Sequence, residues 1–276
     1  MVIEFSSHRD VPLFEEMTSE QVADAIARRA QVILPAGATE QHGPHLPLGT
    51  DTFQGIEVAR RAIFLLAREG VPAIMGPVIP FGPPQFLTES PRPFPGTVNV
   101  SNNTLRALTY DLCRELAGQG FRTIFLLCAN AESEPVLQIV AKEVSETTPA
   151  SVLTLQWLVG IQPGYKGLMR SERPQGHAGE GETARILASS PHLVHMDKAY
   201  SYHPRVPAET APNNKMPYLG GAIGRYKYPD HVFDGYEHGT WGDPQNATAE
   251  VGEKSYQIIS EWVCAAVRAE WRLWNA

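Results

Sequence analysis

Along this chain, short blocks of consecutive apolar residues alternate with longer stretches in which apolar residues recur every three or four positions. Gln31-Val-Ile-Leu-Pro35 is an apolar run closed by proline, which predicts a buried strand; a polar loop rich in Gly, Pro and His follows as far as Thr50. From Asp51 the period becomes helical. Ile56, Ala59, Ile63 and Leu66 share one face, Asp51 stands where an N-cap belongs, and Gly70 stops the element. Val71 to Ile79 predicts a second strand, Asn103 to Gly118 a second helix, and Arg122 to Ala129 a third, uninterrupted apolar strand. Pro135 to Val144 predicts helix, Ser151 to Leu158 a strand, and a further helix opens near Ala178 and runs to about Ser189. Strands that alternate with helices in this way form an α/β fold, a parallel sheet covered on both faces, with ligands in the crevice at the carboxyl ends of the strands.

Two stretches break the alternation. Pro80 to Pro95 holds six of the 23 prolines and reads as a long ordered loop, of the kind that rims a site. Pro191 to Pro244 is rich in Pro, Gly, Tyr and His and has no period, so it predicts no element. After Asn246 a terminal helix follows, with Ile259, Trp262 and Ala266 expected on its sheet-facing side.

Composition narrows the classes. With 276 residues, 43% of them apolar and 19% charged, the chain can bury a full core as one domain over 1–276. Its 23 basic against 30 acidic residues leave a formal charge of −7, the wrong sign for a nucleic-acid binder. The longest apolar stretches, such as Ala62 to Ala67, fall far short of the roughly 20 residues a membrane span needs. Glu4, Asp10, Glu15 and Glu16 interrupt what a secretory leader would keep apolar. Cys113, Cys128 and Cys264 are odd in number and widely spaced, which excludes a zinc finger and suits reduced thiols in the cytoplasm.

The candidate chemistry sits in the loops after the strands. Between Glu40 and Asp51 the first loop gathers one Glu, two His (His42 and His45) and one Asp, all side chains that bind divalent metals, although Asp51 could equally cap the following helix. After the third strand, Glu132 and Glu134 are either metal or solvent-linked acids or first-turn acids stabilised by the next helix dipole. The Gly-flanked turn Gly176-His177-Ala-Gly-Glu-Gly-Glu182-Thr183 offers His177 as general acid/base and Glu182 as a metal ligand or a support for one.

Taken together, Thr39-Glu-Gln-His-Gly-Pro-His-Leu-Pro-Leu-Gly-Thr-Asp51, Pro95-Gly-Thr97, His177-Ala-Gly-Glu-Gly-Glu-Thr183 and Gly242-Asp-Pro-Gln-Asn-Ala-Thr-Ala-Glu-Val-Gly-Glu253 resemble the creatininase (creatinine amidohydrolase) family, in the family's order and over almost the whole chain. The resemblance implies a three-layer αβα hydrolase with two divalent metal ions (Mn²⁺, Zn²⁺ or Mg²⁺), a small-molecule substrate and a homo-oligomer, a hexamer in the best-known members. By the same resemblance Glu40 and His42 each bind one metal, Asp51 bridges both, His177 is the catalytic histidine, and Gly96 and Thr97 lie on the substrate side.

The chain also departs from the family pattern. Glu132 stands where the family usually has a metal-binding histidine, and the fifth ligand is open between Glu134 and Glu182. A carboxylate in place of imidazole favours harder ions such as Mn²⁺ or Mg²⁺. Ser133 and Arg173 stand where creatininase places a tyrosine and a tryptophan around its ring, so a polar, oxygen-rich substrate is expected instead of creatinine. The expected reaction is hydrolysis of a small polar cyclic amide or formamide by attack of metal-activated water on a carbonyl. The alternatives are hydrolytic C–C opening of a cyclic diketone such as 3-dehydro-scyllo-inosose in inositol catabolism, and a non-catalytic binding or scaffold member.

Overall fold

The computed structural model describes residues 5–84, 94–160, 164, 167–171, 176–203 and 229–275. Four strands, β1 (Gln31–Ala36), β2 (Ala73–Met75), β3 (Thr123–Cys128) and β4 (Ser151–Gln156), form one sheet in the order β2-β1-β3-β4, every neighbouring pair parallel. Helices α1 (Ser19–Ala27), α2 (Thr50–Arg68), α3 (Asn102–Gln119), α4 (Glu134–Thr147), α5 (Trp157–Gly160), α6 (Glu180–Ser189) and α7 (Ala249–Trp274) surround it.

Strand alternation divides the core into two. Val32, Leu34, Ala36, Ile124, Leu126 and Cys128 point to the side covered by α1, α3 and α4 and pack with Leu105, Leu116, Leu137 and Val140. Ile33, Phe125, Leu127 and Leu155 point the other way, onto Val58, Ile63 and Leu66 of α2 and Tyr256, Ile259, Val263 and Val267 of α7. The result is the three-layer α/β arrangement, its sheet buried on both faces as a parallel sheet must be. No helix among the described residues is long and apolar enough to cross a membrane.

Most of the expected elements are present, with instructive differences. The second strand is shorter than Val71 to Ile79, because Pro77 has no N–H to extend the ladder; beyond Gly76 only Ile79 touches β1 again, in an isolated bridge to Ala36. The fourth strand ends at Gln156, and Trp157 turns into the short α5. Trp262 and Ala266 flank the α7 contact instead of forming it; the buried stripe runs through Tyr256, Ile259, Val263 and Val267. Helix α1 has no counterpart in the apolar pattern. It is held by a capping box, in which Gln21 N–H donates to Thr18 Oγ1 and Thr18 N–H donates to Gln21 Oε1.

The register aligns Ala36, Cys128 and, through Cys128, Gln156, so the loops leaving β1, β3 and β4 emerge at one edge of the sheet. The period-free segment after Pro191 folds its described part back over this edge. Val232, Phe233, Tyr236 and Trp241 make a small core of their own with Phe94 and Tyr202.

Candidate metal centre

Several loops and helix starts bring polar side chains to the carboxyl edge. Glu40 and His42 lie on the loop after β1 and are each 1% exposed; Asp51 opens α2 and is 3% exposed. His42 Nε2 lies 3.2 Å from Asp51 Oδ1 and 3.6 Å from Glu182 Oε2, while His177 Nδ1 lies 3.4 Å from Glu40 Oε1. The ligand atoms of Glu40, His42 and His177 form one group compact enough for a metal ion, and those of His42, Asp51 and Glu182 form a second that shares His42.

The surrounding hydrogen bonds fix these side chains. His42 Nδ1 is 3.0 Å from the Glu40 carbonyl, which assigns a proton to Nδ1 and turns Nε2 toward Asp51 and Glu182. His42 Nε2 has no well-aligned hydrogen-bond partner of its own. Asn130, just beyond β3, donates through Nδ2 to Glu40 Oε2 at 3.1 Å and to Asp51 Oδ2 at 2.9 Å. Glu182 accepts from Ala178 N–H at 2.6 Å, and this bond is available because Ala178 sits in the left-handed region at φ 54°.

His177 is clamped from behind. Its carbonyl accepts from Trp241 N–H at 2.7 Å, and Gly176 lies so close to the Trp241 carbonyl that a Cβ there would meet it at 1.8 Å. Its Nε2 faces the Gln41 carbonyl at 2.7 Å and the Gln41 side-chain nitrogen at 3.0 Å. The ring nitrogen therefore finds an acceptor when it carries a proton and a donor when it does not. Gln41 is itself held in place, its Oε1 accepting from Gly43 N–H at 2.9 Å and its own N–H donating to Thr97 Oγ1 at 3.0 Å.

The electrostatics follow from packing anionic and imidazole groups together out of water. Burial works against a charge on His42, but Asp51, Glu182 and Glu40 outweigh it and push its pKa up to about 10. Burial, aided by the charge on His42, drives His177 down to about 3 and His45 down to about 4, so both stay neutral. Asp51 is lowered despite burial, by His42 and by the hydrogen bond from Asn130, whereas burial raises Glu182. Three carboxylates thus compete for the single positive charge available at His42.

Not every residue expected at the site joins it. His45 turns away and bonds Thr183 Oγ1 at 3.0 Å. Glu132 and Glu134 stand on the turn after β3 and at the start of α4 but belong to neither ligand group; burial raises Glu132 to about 7, and Glu134 accepts from Gln138 at 3.2 Å. Ser133, expected to face substrate, is 1% exposed and donates its hydroxyl to Asn130 Oδ1 at 3.2 Å. Gly96, at φ 91°, packs on Leu48, and Thr97 meets the site only through Gln41. Arg173 lies outside the described residues. Asn130 and Gln41 were not singled out by the sequence, since neither amide carries an ionisable signature.

Comparison with known proteins finds relatives over most of the chain. The family model described as Creatininase: Creatinine amidohydrolase matches residues 15–267. The mycofactocin precursor peptide peptidase of Mycobacterium tuberculosis is 27% identical over 271 residues, 96% of this chain and 95% of that protein. The 3-dehydro-scyllo-inosose hydrolase of Thermotoga maritima is 26% identical over 92% of this chain and 82% of its own length, and the creatinine amidohydrolase of Pseudomonas putida is 25% identical over 91% and 94%. Among solved structures, creatininase superposes with a TM-score of 0.74 at 22% identity, covering 95% of this chain and 98% of its own, and related creatininase structures are described as a Zn-Zn type and an Mn form.

Proposed function

We propose that this protein, which belongs to the creatininase family, is a divalent-metal-dependent hydrolase that cleaves a carbon–nitrogen bond in a small polar amide. The observation that carries this reading is the convergence of Glu40, His42, Asp51, His177 and Glu182 at one sheet edge. The donor set fits metal ions. A buried histidine aims its Nε2 between two carboxylates, and a metal ion at that point would take the place of the proton on His42 and balance the negative charge of the carboxylates.

Glu40, His42, Asp51 and Glu182 would hold the two ions. Of the two carboxylates left open by the sequence, Glu182 is a better ligand than Glu134, whose carboxylate is engaged with Gln138. The oxygen-rich donors suit Mn²⁺ or Mg²⁺, and the imidazole of His42 also admits Zn²⁺. Such ions polarise a carbonyl and lower the pKa of water. His177 would move the proton. It stays neutral, and Gln41 satisfies its Nε2 in either tautomer, so Nδ1 can take up a proton and return it to the leaving nitrogen.

Two of the named relatives, the creatinine amidohydrolase and the peptide peptidase, have C–N bonds as their targets, which favours an amide over a ketone. A second reading, hydrolytic C–C opening of a cyclic diketone, is favoured by the Thermotoga relative and would use the same residues. Creatinine itself is not expected to be turned over, because Ser133 and Arg173 replace the ring-stacking aromatics of creatininase. The chain is expected to work in the cytoplasm, where its three buried, unpaired thiols stay reduced, and as a homo-hexamer.

The test is to incubate the metal-loaded protein with cyclic amides, formamides, short peptides, lactones and inosose-type diketones and to identify products by mass. Amine release from an amide supports the first reading and ring-opened keto acid the second. No turnover of any of them, with metal bound, would point to a binding protein.

A further inference from the structure

Glu40 and Asp51 come from different elements, the loop after β1 and the start of α2, yet their carboxylates lie side by side in the interior. Two buried like charges repel, and neither chain segment alone explains why they stay together. One group reaches both: the Asn130 Nδ2 amide donates one N–H to Glu40 Oε2 and the other to Asp51 Oδ2. The reversed amide would set Oδ1 against two carboxylate oxygens, three acceptors together. The two carboxylates exclude that reversal, and the Ser133 hydroxyl, which donates to Asn130 Oδ1 at 3.2 Å, holds the amide from its other end. Gly82 leaves the room for this orientation: a Cβ there would come within 3.3 Å of Asn130 Oδ1.

We infer that Asn130, locked by Ser133, is the positioning residue that holds Glu40 and Asp51 as a preformed pair for the metal ions, and that Ser133 acts on the centre through Asn130 and not on substrate. The inference rests on the metal-centre reading above. It explains why the position after Glu132 carries a hydroxyl. The serine is buried and directed inward to the amide.

Groups that orient metal ligands typically cost 10- to 100-fold in metal affinity when removed. Asn130→Ala should therefore weaken Mn²⁺ binding by roughly that factor, read by competition with a chelating dye on the apoprotein. Ser133→Ala should weaken it less, and in the Asn130→Ala background the serine change should add nothing, because its route to the ligands is gone. Far-UV circular dichroism of each apoprotein separates this from misfolding, and if Asn130→Ala fails to fold, Ser133→Ala alone carries the test. Unchanged Mn²⁺ affinity in Ser133→Ala and Asn130→Ala, or additive effects in the double variant, would overturn the inference while leaving the metal centre standing. A parent protein that binds no Mn²⁺, Zn²⁺ or Mg²⁺ at all would overturn both.

Discussion

At the scale of single residues, ionisable side chains made the candidate site legible in part, since His45, Glu132 and Glu134 carried the same signal and stand outside the two ligand groups. Glu40, His42, Asp51, His177 and Glu182 could be read from the sequence because carboxylates and imidazoles clustered in Gly-rich loops after buried strands have few other uses. Asn130 could not, because an amide has no titration and its role appears only when Glu40 and Asp51 are seen on either side of it. Ser133 illustrates the converse: its place in the motif suggested substrate, and its hydroxyl points into the interior. His177 carries the sharpest residue-level prediction. It lies 3.4 Å from Glu40, near enough for a shared metal, yet its Nε2 is served by Gln41 in both tautomers, as a proton carrier requires. His177→Ala should lower kcat by roughly 10²- to 10⁴-fold with metal content unchanged. Loss of metal in that variant, measured by elemental analysis, would make His177 a ligand instead.

At the scale of elements, period and punctuation revealed the strands and the long helices, since a buried strand must be apolar throughout and a covering helix must be apolar on one side. They failed at α1, whose nine residues carry only Ala25 fully buried and whose real signal is the Thr18 to Gln21 capping box. They also failed to see how Glu182 is placed. Helix α6 carries Glu182 in its first turn and is pressed against α7 at Gly252, where a Cβ would stand 1.9 Å from the Ala184 carbonyl. That neighbour is backbone, so a side chain at 252 can fit only if one helix moves. Gly252→Ala should lower stability by about 1–3 kcal/mol, the usual cost of overpacking, and should weaken metal binding as well, because α6 cannot shift without moving Glu182. Urea denaturation with and without Mn²⁺ checks both parts. A variant as stable as the parent would show that the two helices slide past each other freely.

Oligomeric assembly belongs to the scale of the whole molecule. Of the aromatic residues in the segment after Pro191, which would suit an interface between subunits, Phe233, Tyr236 and Trp241 are buried within their own chain; Tyr200 remains 43% exposed, while Tyr218, Tyr226 and Tyr228 lie outside the described residues. The described part of the segment packs beside the candidate centre, held by Trp241 N–H on the His177 carbonyl. Light scattering at micromolar concentration should still report an oligomer, most simply a hexamer, and a clean monomer would remove that expectation.

Metal and global stability are coupled for a reason visible in the centre itself. Glu40 and Asp51 sit almost without solvent beside His42, with Glu182 at the edge of the set, and a protein interior tolerates such carboxylates best when cations balance them. Because the ligands come from the loop after β1, from α2 and from α6, an ion joining them ties together three parts of the chain that unfolding must separate. A ligand that binds only the folded state at a hundred times its Kd adds about 2.7 kcal/mol, which for a chain of this size corresponds to a rise in Tm of roughly 5–10 °C. Stripping the protein with a chelator should lower Tm by about that amount, and adding back Mn²⁺ or Zn²⁺ should restore it in a concentration-dependent way. Calcium, larger and seeking six to eight oxygens, should restore little at a site with an imidazole at its centre. Equal melting of the stripped and reloaded protein would mean that these carboxylates are stabilised by the protein alone, by His42 and Asn130, and that the centre is not built around metal.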